Sequence, residues 1–250
     1  MTLFKKKSRR GMKSLVALTL AAIVGMIGVA HAQDGAIKDP ERTRYYEVFK
    51  NKRVVFVPVF MGLDLTEGWS KMMSVQAKRL GYSYEVRNAN FDTSAGVQIL
   101  TQLLNEKTKP DVVVIQNPDV TSYAKLEKQM EDAGIYVIQL NMKSLTMTTG
   151  FAGADATVIG ETQADWVVKQ CGPNTSRKVL ILNGPTTAPW TVYMQEGYNN
   201  VLSKNPDIKV VARQSIGNYD SSKAKSITEV TLKQHPDLCA IMGVWDIPDL

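Results

Sequence analysis

An α/β fold with two lobes, each built around a parallel, doubly wound sheet, is the fold class that the sequence predicts. Apolar runs of strand length alternate with segments of helical periodicity from residue 53 to the end of the chain. The first run, RVVFVPVF at residues 53–60, is apolar without interruption, as is typical of a strand covered on both faces. The alternation begins again near residues 153–156, which indicates two similar halves facing each other across a cleft.

The first half contains predicted strands that alternate with predicted helices. The second helix places one apolar stripe at helical spacing, Val97, Leu100, Leu103 and Leu104. Gly81 and Gly134 follow the ends of the other two helices. The predicted strands are residues 53–60, 82–89, 111–116 and 136–140, and the predicted helices are residues 66–80, 93–107 and 120–133.

The second half repeats this pattern after a short glycine-rich passage, TGFAGAD at residues 149–155. Its predicted helices are residues 157–171, 188–204 and 221–235, and its predicted strands are residues 178–184, 208–214 and 238–244. In open α/β sheets, ligands bind beyond the carboxyl ends of the strands. We therefore expect the loops after the strands of both halves to line the cleft.

The basic character of the chain resides in its first 32 residues. The whole chain carries 30 Lys and Arg against 24 Asp and Glu, but six of the cations lie between Lys5 and Lys13, in a stretch without acidic residues. Removing those six leaves 24 basic against 24 acidic residues, so the remainder is formally neutral. A neutral chain offers no electrostatic footprint for nucleic acid.

Residues 1–32 have the layout of a secretory signal peptide. A cationic region precedes the apolar segment SLVALTLAAIVGMIGV, and AHA, which ends at Ala32, fits the small-x-small cleavage rule. The apolar segment is short for a membrane anchor, which is the alternative interpretation. We expect cleavage after Ala32, by general or twin-arginine export, and a soluble protein in the periplasm. Residues 33–51 are polar and aperiodic, and we interpret them as a lead-in to the first lobe.

The chain has two cysteines, Cys171 and Cys239. An oxidising compartment permits a disulfide between them, and two buried thiols fit the sequence equally well. Their spacing does not fit a zinc site or a CxxC redox motif. Cys171 ends the first helix of the second half and Cys239 starts a strand beside that half's first strand. Both therefore lie at the end of the sheet opposite the cleft, and we hypothesise that they pair.

A series of motifs follows the signal peptide in a fixed order. It consists of DVVVIQNPD, GIYVIQLN, GADATVIGETQADWVV, the LNGP and QEGYNNVL segments, and the approach HPDLCAIM to a final WD. Over roughly residues 52–250 this order resembles the type I periplasmic solute-binding proteins of the ribose/galactose-binding kind.

The resemblance implies two Rossmann-like lobes, residues 52–153 and 154–250, that close over a small solute. It also implies delivery of that solute to the inner-membrane permease of an ABC importer. Some members of the family instead present a ligand to a membrane sensor kinase or chemoreceptor, and the sequence leaves both outputs open. Members normally continue well past the position of residue 250, so we expect the second lobe to be incomplete here.

The resemblance places candidate ligand-binding residues in the loops that follow the strands. Asn141 and Met142 stand where sugar binders often have an Asp-Arg pair, and Trp245 and Asp246 stand where Asn-Asp is usual. The complete set of candidates is Leu65, Thr66, Trp69, Asn141, Met142, Trp190, Tyr219, Trp245 and Asp246.

These departures from sugar binders share one direction, because charged and amide groups are replaced by Leu, Met, Val and Trp. A hydroxyl that leaves water for a site without a partner costs about 1–3 kcal/mol. A hexose is therefore a poor fit, and we expect a smaller or partly apolar solute such as a polyol, a short alcohol or acid, or an aromatic compound. We expect no cofactor and no metal.

Each candidate also has a purely structural interpretation. Trp69 and Trp190 fit the core side of their helices as well as they fit a ligand site, and Trp166 fits the core better. Asp220 precedes a helix and is expected to cap it. Asp246 follows a buried strand, which favours a ligand contact at the cleft, with a capping role as the alternative.

A doubly wound enzyme is the competing functional class. The chain contains no GxSxG, HExxH, P-loop or GxGxxG motif. The single histidine after residue 32 is His235, which precedes a strand and so lies at the sheet end away from the cleft. The sequence therefore favours a binding protein over an enzyme.

Overall fold

Two parallel β-sheets flanked by helices form the part of the chain that the computed structural model describes, residues 39–246. The predicted signal peptide and its cleavage after Ala32 lie outside these residues. Among residues 39–246, no helix combines the length and the apolar character needed to cross a membrane.

The elements alternate as the sequence predicts, with small shifts at their ends. The helices are α1 Pro40–Val48, α2 Asp64–Leu80, α3 Thr93–Asn105, α4 Ala124–Asp132, α5 Ala156–Gln170, α6 Pro189–Leu202 and α7 Ser221–Gln234. The strands are β1 Arg53–Val57, β2 Ser83–Val86, β3 Val112–Ile115, β4 Tyr136–Leu140, β5 Gly150–Ala152, β6 Lys178–Asn183, β7 Lys209–Ser215 and β8 Ala240–Gly243.

The first sheet has five parallel strands in the order β2-β1-β3-β4-β5. Val55, Phe56 and Val57 of the interior strand β1 are fully buried, as expected of a strand with helices on both faces. The chain moves outward from β1 to β2 on one side and through β3 to β5 on the other. Loops after β1 and β3 therefore diverge and leave a crevice at the carboxyl edge.

The second sheet has three parallel strands in the order β7-β6-β8. The central strand β6 is buried from Val179 to Asn183. Its carboxyl edge, like that of the first sheet, is the end from which the chain enters the next helix. The first sheet lies within the predicted lobe 52–153 and the second within 154–250.

Helices α5 and α6 pack so closely that side chains are excluded at their crossing. A Cβ atom added at Gly160 would lie 2.4 Å from the backbone oxygen of Met194. One added at Gly197 would lie 2.2 Å from the backbone oxygen of Thr157. The glycines therefore allow a helix pair that covers one face of the second sheet, and any larger residue forces the backbones apart.

Aspartates fix where several helices begin. Asp92, Asp155 and Asp220 each accept hydrogen bonds from the backbone N–H groups two and three residues later. This geometry satisfies donors that a helix start leaves free. The expected capping role of Asp220 is confirmed.

Some sequence-based interpretations were wrong in detail. The lead-in contains helix α1, although none of its residues is buried. The glycine-rich passage contains β5, which pairs with β4 through Ile138–Gly150 and Leu140–Ala152. Trp166 is 59% exposed on α5 rather than in the core, because α5 turns its small residues toward α6 and the sheet.

A disulfide joins Cys171, just after α5, to Cys239, just before β8. Their Cα atoms are 5.9 Å apart. The backbone N–H of Cys239 donates to the carbonyl of Lys178, the first residue of β6. The bond therefore lies at the amino ends of the strands, at the edge of the sheet opposite the carboxyl ends.

Candidate functional site

A cavity of about 380 Å³ lies where the carboxyl edges of the two sheets meet. Sites for small molecules commonly have about 300–1,000 Å³, so this volume suits a single small ligand. The lining residues are Val59, Phe60, Leu63, Leu65, Thr66, Phe91, Thr93, Gln116, Pro118, Asp119, Asn141, Met142, Pro185, Thr187, Ala188, Trp190, Asn218, Tyr219 and Trp245.

Strand ends from both sheets position this lining. In the first sheet, Val59, Gln116 and Asn141 follow β1, β3 and β4. In the second sheet, Pro185 follows β6 and Trp245 follows β8. The arrangement matches the general position of ligand sites in open α/β folds.

Two pairs of aromatic rings form much of the apolar wall, one pair from each sheet. The rings of Phe60 and Phe91 stack with centroids 4.6 Å apart and an interplanar angle of 15°. The rings of Tyr219 and Trp245 meet edge to face at 5.1 Å and 86°. Both geometries are favourable for aromatic pairs. The two rings of each pair therefore stabilise each other's orientation.

The one acidic side chain among the described lining residues is already engaged. The carboxylate of Asp119 accepts hydrogen bonds from the backbone N–H of Thr121 at 2.8 Å and of Ser122 at 2.7 Å, and from both hydroxyls. Burial opposes ionisation of Asp119, but these hydrogen bonds outweigh it and lower its pKa. Asp119 is thus an ionised residue that shapes its loop and has little hydrogen-bonding capacity left for a ligand.

Neutral polar groups supply the remaining hydrogen-bonding capacity. The side-chain oxygen of Gln116 accepts a hydrogen bond from the backbone N–H of Val59 at 3.3 Å. This contact does not use the N–H₂ group of the same side chain, which is a hydrogen-bond donor. Burial raises the pKa of Tyr219 to about 12, although a hydrogen bond with Thr191 opposes the shift. The Tyr219 hydroxyl therefore stays protonated at any physiological pH.

Several residues at the cavity have a left-handed backbone. Phe91, Asn141 and Tyr219 have φ values of 58°, 61° and 60°. This region is unfavourable for residues other than glycine, most of all for bulky ones. Such conformations cluster where a site needs a side chain aimed in one direction. Here each occurs in the segment that follows a strand and belongs to a lining residue.

Most of the ligand residues expected from the sequence lie together at the cavity. They are Leu65, Thr66, Asn141, Met142, Trp190, Tyr219 and Trp245. Trp190 is also fixed by a structural contact, because its indole N–H donates to the carbonyl of Val244 at 2.6 Å. That hydrogen bond ties the start of α6 to the end of β8.

The structure places two expected ligand residues elsewhere. Trp69 packs with Met73 against the cluster around Phe56 and Val114, on the face of the first sheet, because the apolar side of α2 covers that sheet. Asp246 is exposed and does not belong to the described lining. Consecutive side chains point in different directions, and Trp245 is the one turned toward Tyr219.

Sequence reasoning missed several lining residues, among them Phe60, Phe91, Gln116 and Asn218. The rule that ligands bind at carboxyl ends of strands identifies Gln116, which follows β3, and Phe91, which lies beyond β2. The contact between Phe60 and Phe91 joins residues from different loops. No local pattern in the sequence signals such a contact.

Residues 54–248 match the sequence profile described as the periplasmic binding protein domain. The chain belongs to the periplasmic binding protein family. Members of this family bind solutes, and the strand-end cavity has the position that a solute site requires. Among residues 39–246, no group of three or more His, Cys, Asp and Glu side chains is placed to hold a metal ion.

Known members of the family resemble this chain at low sequence identity. The D-ribose/D-allose-binding protein of Pseudomonas aeruginosa is 22% identical over 246 residues, which cover 96% of this chain and 72% of that protein. An ABC transporter solute-binding protein from Burkholderia graminis, solved in complex with D-arabinose, is 25% identical with a TM-score of 0.71. The match covers 80% of this chain and 68% of that one.

A third similar protein is part of a two-component system. The fructose-binding periplasmic domain of a hybrid two-component system is 19% identical with a TM-score of 0.67, over 77% of this chain and 63% of that chain. At this identity the likeness concerns the fold alone. The chain thus spans about two thirds of the length of the solved relatives.

Proposed function

We propose that this protein is the periplasmic solute-binding component of an ABC importer and captures a small solute between its two lobes. The observation that carries the proposal is the cavity of about 380 Å³ formed by strand ends of both sheets. A ligand in such a cavity contacts both lobes at once, and its binding energy favours their closure. A closed, loaded protein is the form that an inner-membrane permease must recognise.

The proposed solute is neutral and has an apolar face. Neither Lys nor Arg is among the described lining residues, and the carboxylate of Asp119 is engaged by its own loop. A charged solute would lose its hydration without gaining an opposite charge. The Phe60–Phe91 and Tyr219–Trp245 pairs offer flat surfaces to C–H groups. The D-ribose/D-allose and D-arabinose relatives support a sugar-like or polyol solute.

Binding without chemistry is the proposed mode of action. The described lining holds no His, Cys or Ser side chain that would act as base or nucleophile. Tyr219 is held protonated, and Asp119 is held ionised by hydrogen bonds from Thr121 and Ser122. None of these groups forms a nucleophile–base pair of the kind that catalysis needs.

A sensory output is the second candidate, and the fructose-binding domain of the hybrid two-component system favours it. The two outputs share the same cavity and differ in the partner that recognises the closed form. Permease and ATPase genes beside this gene support import, whereas a neighbouring sensor-kinase gene supports signalling.

The proposed solute class is tested by thermal unfolding of the mature protein with a panel of compounds. We expect D-ribose, D-arabinose, glycerol and other neutral polyols to include a compound that raises Tm in a concentration-dependent manner. We expect gluconate and ribose 5-phosphate, which add charge at similar size, to leave Tm unchanged. Stabilisation by the charged compounds alone would refute the proposed neutral solute.

A matched pair of tryptophan variants tests the cavity itself. Trp245→Ala removes an aromatic wall and should weaken the binding of the identified solute about tenfold or more, which corresponds to about 1.4 kcal/mol. Trp166→Ala removes a 59% exposed tryptophan outside the lining and should leave the Kd unchanged. Equal affinities for the two variants in calorimetric titrations would mean that the solute binds elsewhere.

A further inference from the structure

Glu127 on α4 is a fully buried acidic residue in the first lobe. One carboxyl oxygen, Oε2, accepts a hydrogen bond from the hydroxyl of Ser144 at 2.6 Å. The other oxygen, Oε1, is buried without a partner among the described residues, and so is Oδ1 of Asn117. The Asn117 side chain is near enough to Glu127 to act on its ionisation. Each of these two buried acceptors therefore lacks a hydrogen-bond donor.

Rotating the Asn117 amide group would give Glu127 a donor only by breaking other hydrogen bonds. Its Nδ2 already donates to the carbonyl of Met142 at 3.1 Å and approaches Oε1 of Gln139 at 3.5 Å. Turning Nδ2 toward Glu127 would break both contacts and would set Oδ1 against two other acceptors. A proton on Oε1 of Glu127 instead removes a buried negative charge for which that oxygen has no donor.

Through Ser144, Glu127 is connected to a hydrogen-bonded network in residues 139–148. Ser144, whose hydroxyl donates to Glu127, donates its backbone N–H to Oε1 of Gln139 at 2.6 Å. Nε2 of Gln139 donates to the carbonyl of Thr146 at 2.8 Å and lies 3.3 Å from the hydroxyl of Thr148. Gln139 and Ser144 are both buried. This network fixes the course of the segment between β4 and β5.

That segment carries part of the cavity wall and reaches the second lobe. Asn141 and Met142 line the cavity. The Tyr193 hydroxyl of α6 donates to the carbonyl of Ser144 at 3.4 Å, and Nζ of Lys143 lies 4.4 Å from the centre of the Tyr193 ring. A displacement of Ser144 would therefore move residues that line the cavity and residues that contact the second lobe.

We propose that Glu127 is held as a neutral carboxylic acid, and that it acts as a positioning residue for the ligand-binding segment 141–148 through its hydrogen bond with Ser144. Its effect on ligand binding rests on the proposed function, whereas its protonation and its effect on the segment do not. The consequence is a binding site that loosens as pH rises.

The surroundings of Glu127 support a neutral acid. Burial raises the pKa of Glu127, the hydrogen bonds with Ser144 and Asn117 oppose the shift, and the negative charge of Glu131 one turn along α4 adds to it. Among the described residues, nearby cations are engaged elsewhere: Lys128 pairs with Asp132 at 2.6 Å, and Lys143 is directed to Tyr193.

The remaining charged neighbours do not favour ionisation either. On α4 itself, Glu131 accepts from the Thr149 hydroxyl at 2.7 Å. Beyond β3, Asp119 is ionised within its own loop, and Gln139 from β4 is neutral. No positive charge among the described residues compensates a Glu127 anion.

The sign of the pH dependence follows from linkage. The folded pKa of Glu127 is raised above the unfolded value of about 4.3, so the folded state holds more protons between the two values. Stability from the neutral acid is fully present below the unfolded pKa and is lost as pH rises through the folded pKa. Each unit by which the folded pKa is raised corresponds to about a tenfold change in the unfolding equilibrium.

Glu127→Gln tests the proposal because an amide has the same shape as the neutral acid but does not titrate. It accepts the hydrogen bond from Ser144 at every pH. The matched control is Glu229→Gln, which removes the charge of an exposed glutamate on α7. Urea unfolding and amide hydrogen exchange at about pH 5 and about pH 8 are measured for the wild-type chain and for both variants.

The wild-type chain and Glu229→Gln should lose protection of the Ser144 and Thr146 amides at the higher pH, by about tenfold per unit of pKa elevation. Glu127→Gln should keep that protection and should lack the carboxylic C=O infrared band of a buried neutral acid. Equal pH dependence in wild type and Glu127→Gln, or destabilisation of Glu127→Gln at both pH values, would overturn the proposal. These measurements need no ligand, so a failed solute screen leaves them valid.

Once the panel identifies a solute, the same variants are compared in titrations. The wild-type Kd should rise between about pH 5 and about pH 8, and the Glu127→Gln Kd should stay constant. A pH-independent wild-type Kd together with pH-dependent exchange would contradict the coupling of segment 141–148 to the site.

Discussion

Loss of the Cys171–Cys239 disulfide should destabilise the protein strongly. The perturbation is the double substitution Cys171→Ala and Cys239→Ala. Alanine is preferred over serine because Cys171 is fully buried beside Val167 and Val179, where a serine hydroxyl would have no partner.

The magnitude follows from the length of chain that the bond closes. The cysteines are 68 residues apart, and the loop-closure entropy that such a cross-link removes from the unfolded chain corresponds to about 4 kcal/mol at 25 °C. The loop contains α6, α7 and the strands β6 and β7, so it includes most of the second sheet. The loss should therefore appear in the unfolding of the second lobe.

The assay is urea unfolding of the oxidised mature protein, with and without a thiol reductant, beside the double variant. Reductant should lower the unfolding midpoint of the wild-type chain to near that of the variant and should leave the variant unchanged. A loss of free energy below about 1 kcal/mol, or mass spectra with both thiols free in the oxidised protein, would refute the reasoning.

Two further predictions concern packing and capping in the second lobe. Gly197→Ala places a methyl group 2.2 Å from the carbonyl oxygen of Thr157 and should cost about 1–3 kcal/mol or more in unfolding free energy. Gly172→Ala is the matched control and should cost far less, because its methyl group would lie 3.9 Å from the nearest atom, the carbonyl oxygen of Lys169. Asp220→Ala removes the acceptor for two backbone N–H groups at the start of α7 and should lower stability by about 1 kcal/mol with the solute Kd unchanged. An unchanged melting temperature in Gly197→Ala would contradict the close packing of α5 and α6, and an unchanged melting temperature in Asp220→Ala would contradict the capping role.

Local patterns were sufficient for the fold because they report on short-range physics. The uninterrupted apolar run in β1 predicts a strand with both faces covered, and the spacing of Leu100 and Leu103 predicts one buried stripe on α3, where both are fully buried. Asp220 before SSKAKS predicts a helix start since its carboxylate satisfies backbone donors two and three residues away. The order of such elements also predicts parallel sheets with the site at their carboxyl ends.

Some local signals misled because the outcome depends on what packs against an element. Trp69 and Trp190 have the same sequence-level interpretation, yet Trp69 covers the first sheet and Trp190 lines the cavity. Trp166 is apolar and lies in a helix, but α5 buries its glycine and alanine positions instead. A helical side chain is buried only on the side where another element arrives.

The sequence alone determined the alternation of strands and helices, the position of the site and the spacing of the two cysteines. Only the tertiary structure decided that Phe60 stacks on Phe91, that Asp246 lies outside the lining, and that Glu127 accepts a hydrogen bond from Ser144. The physical reason is the range of the interactions. Hydrogen bonding and periodicity along one element act within a few residues, whereas ring stacking and burial of a carboxyl group join side chains that only the complete fold brings together.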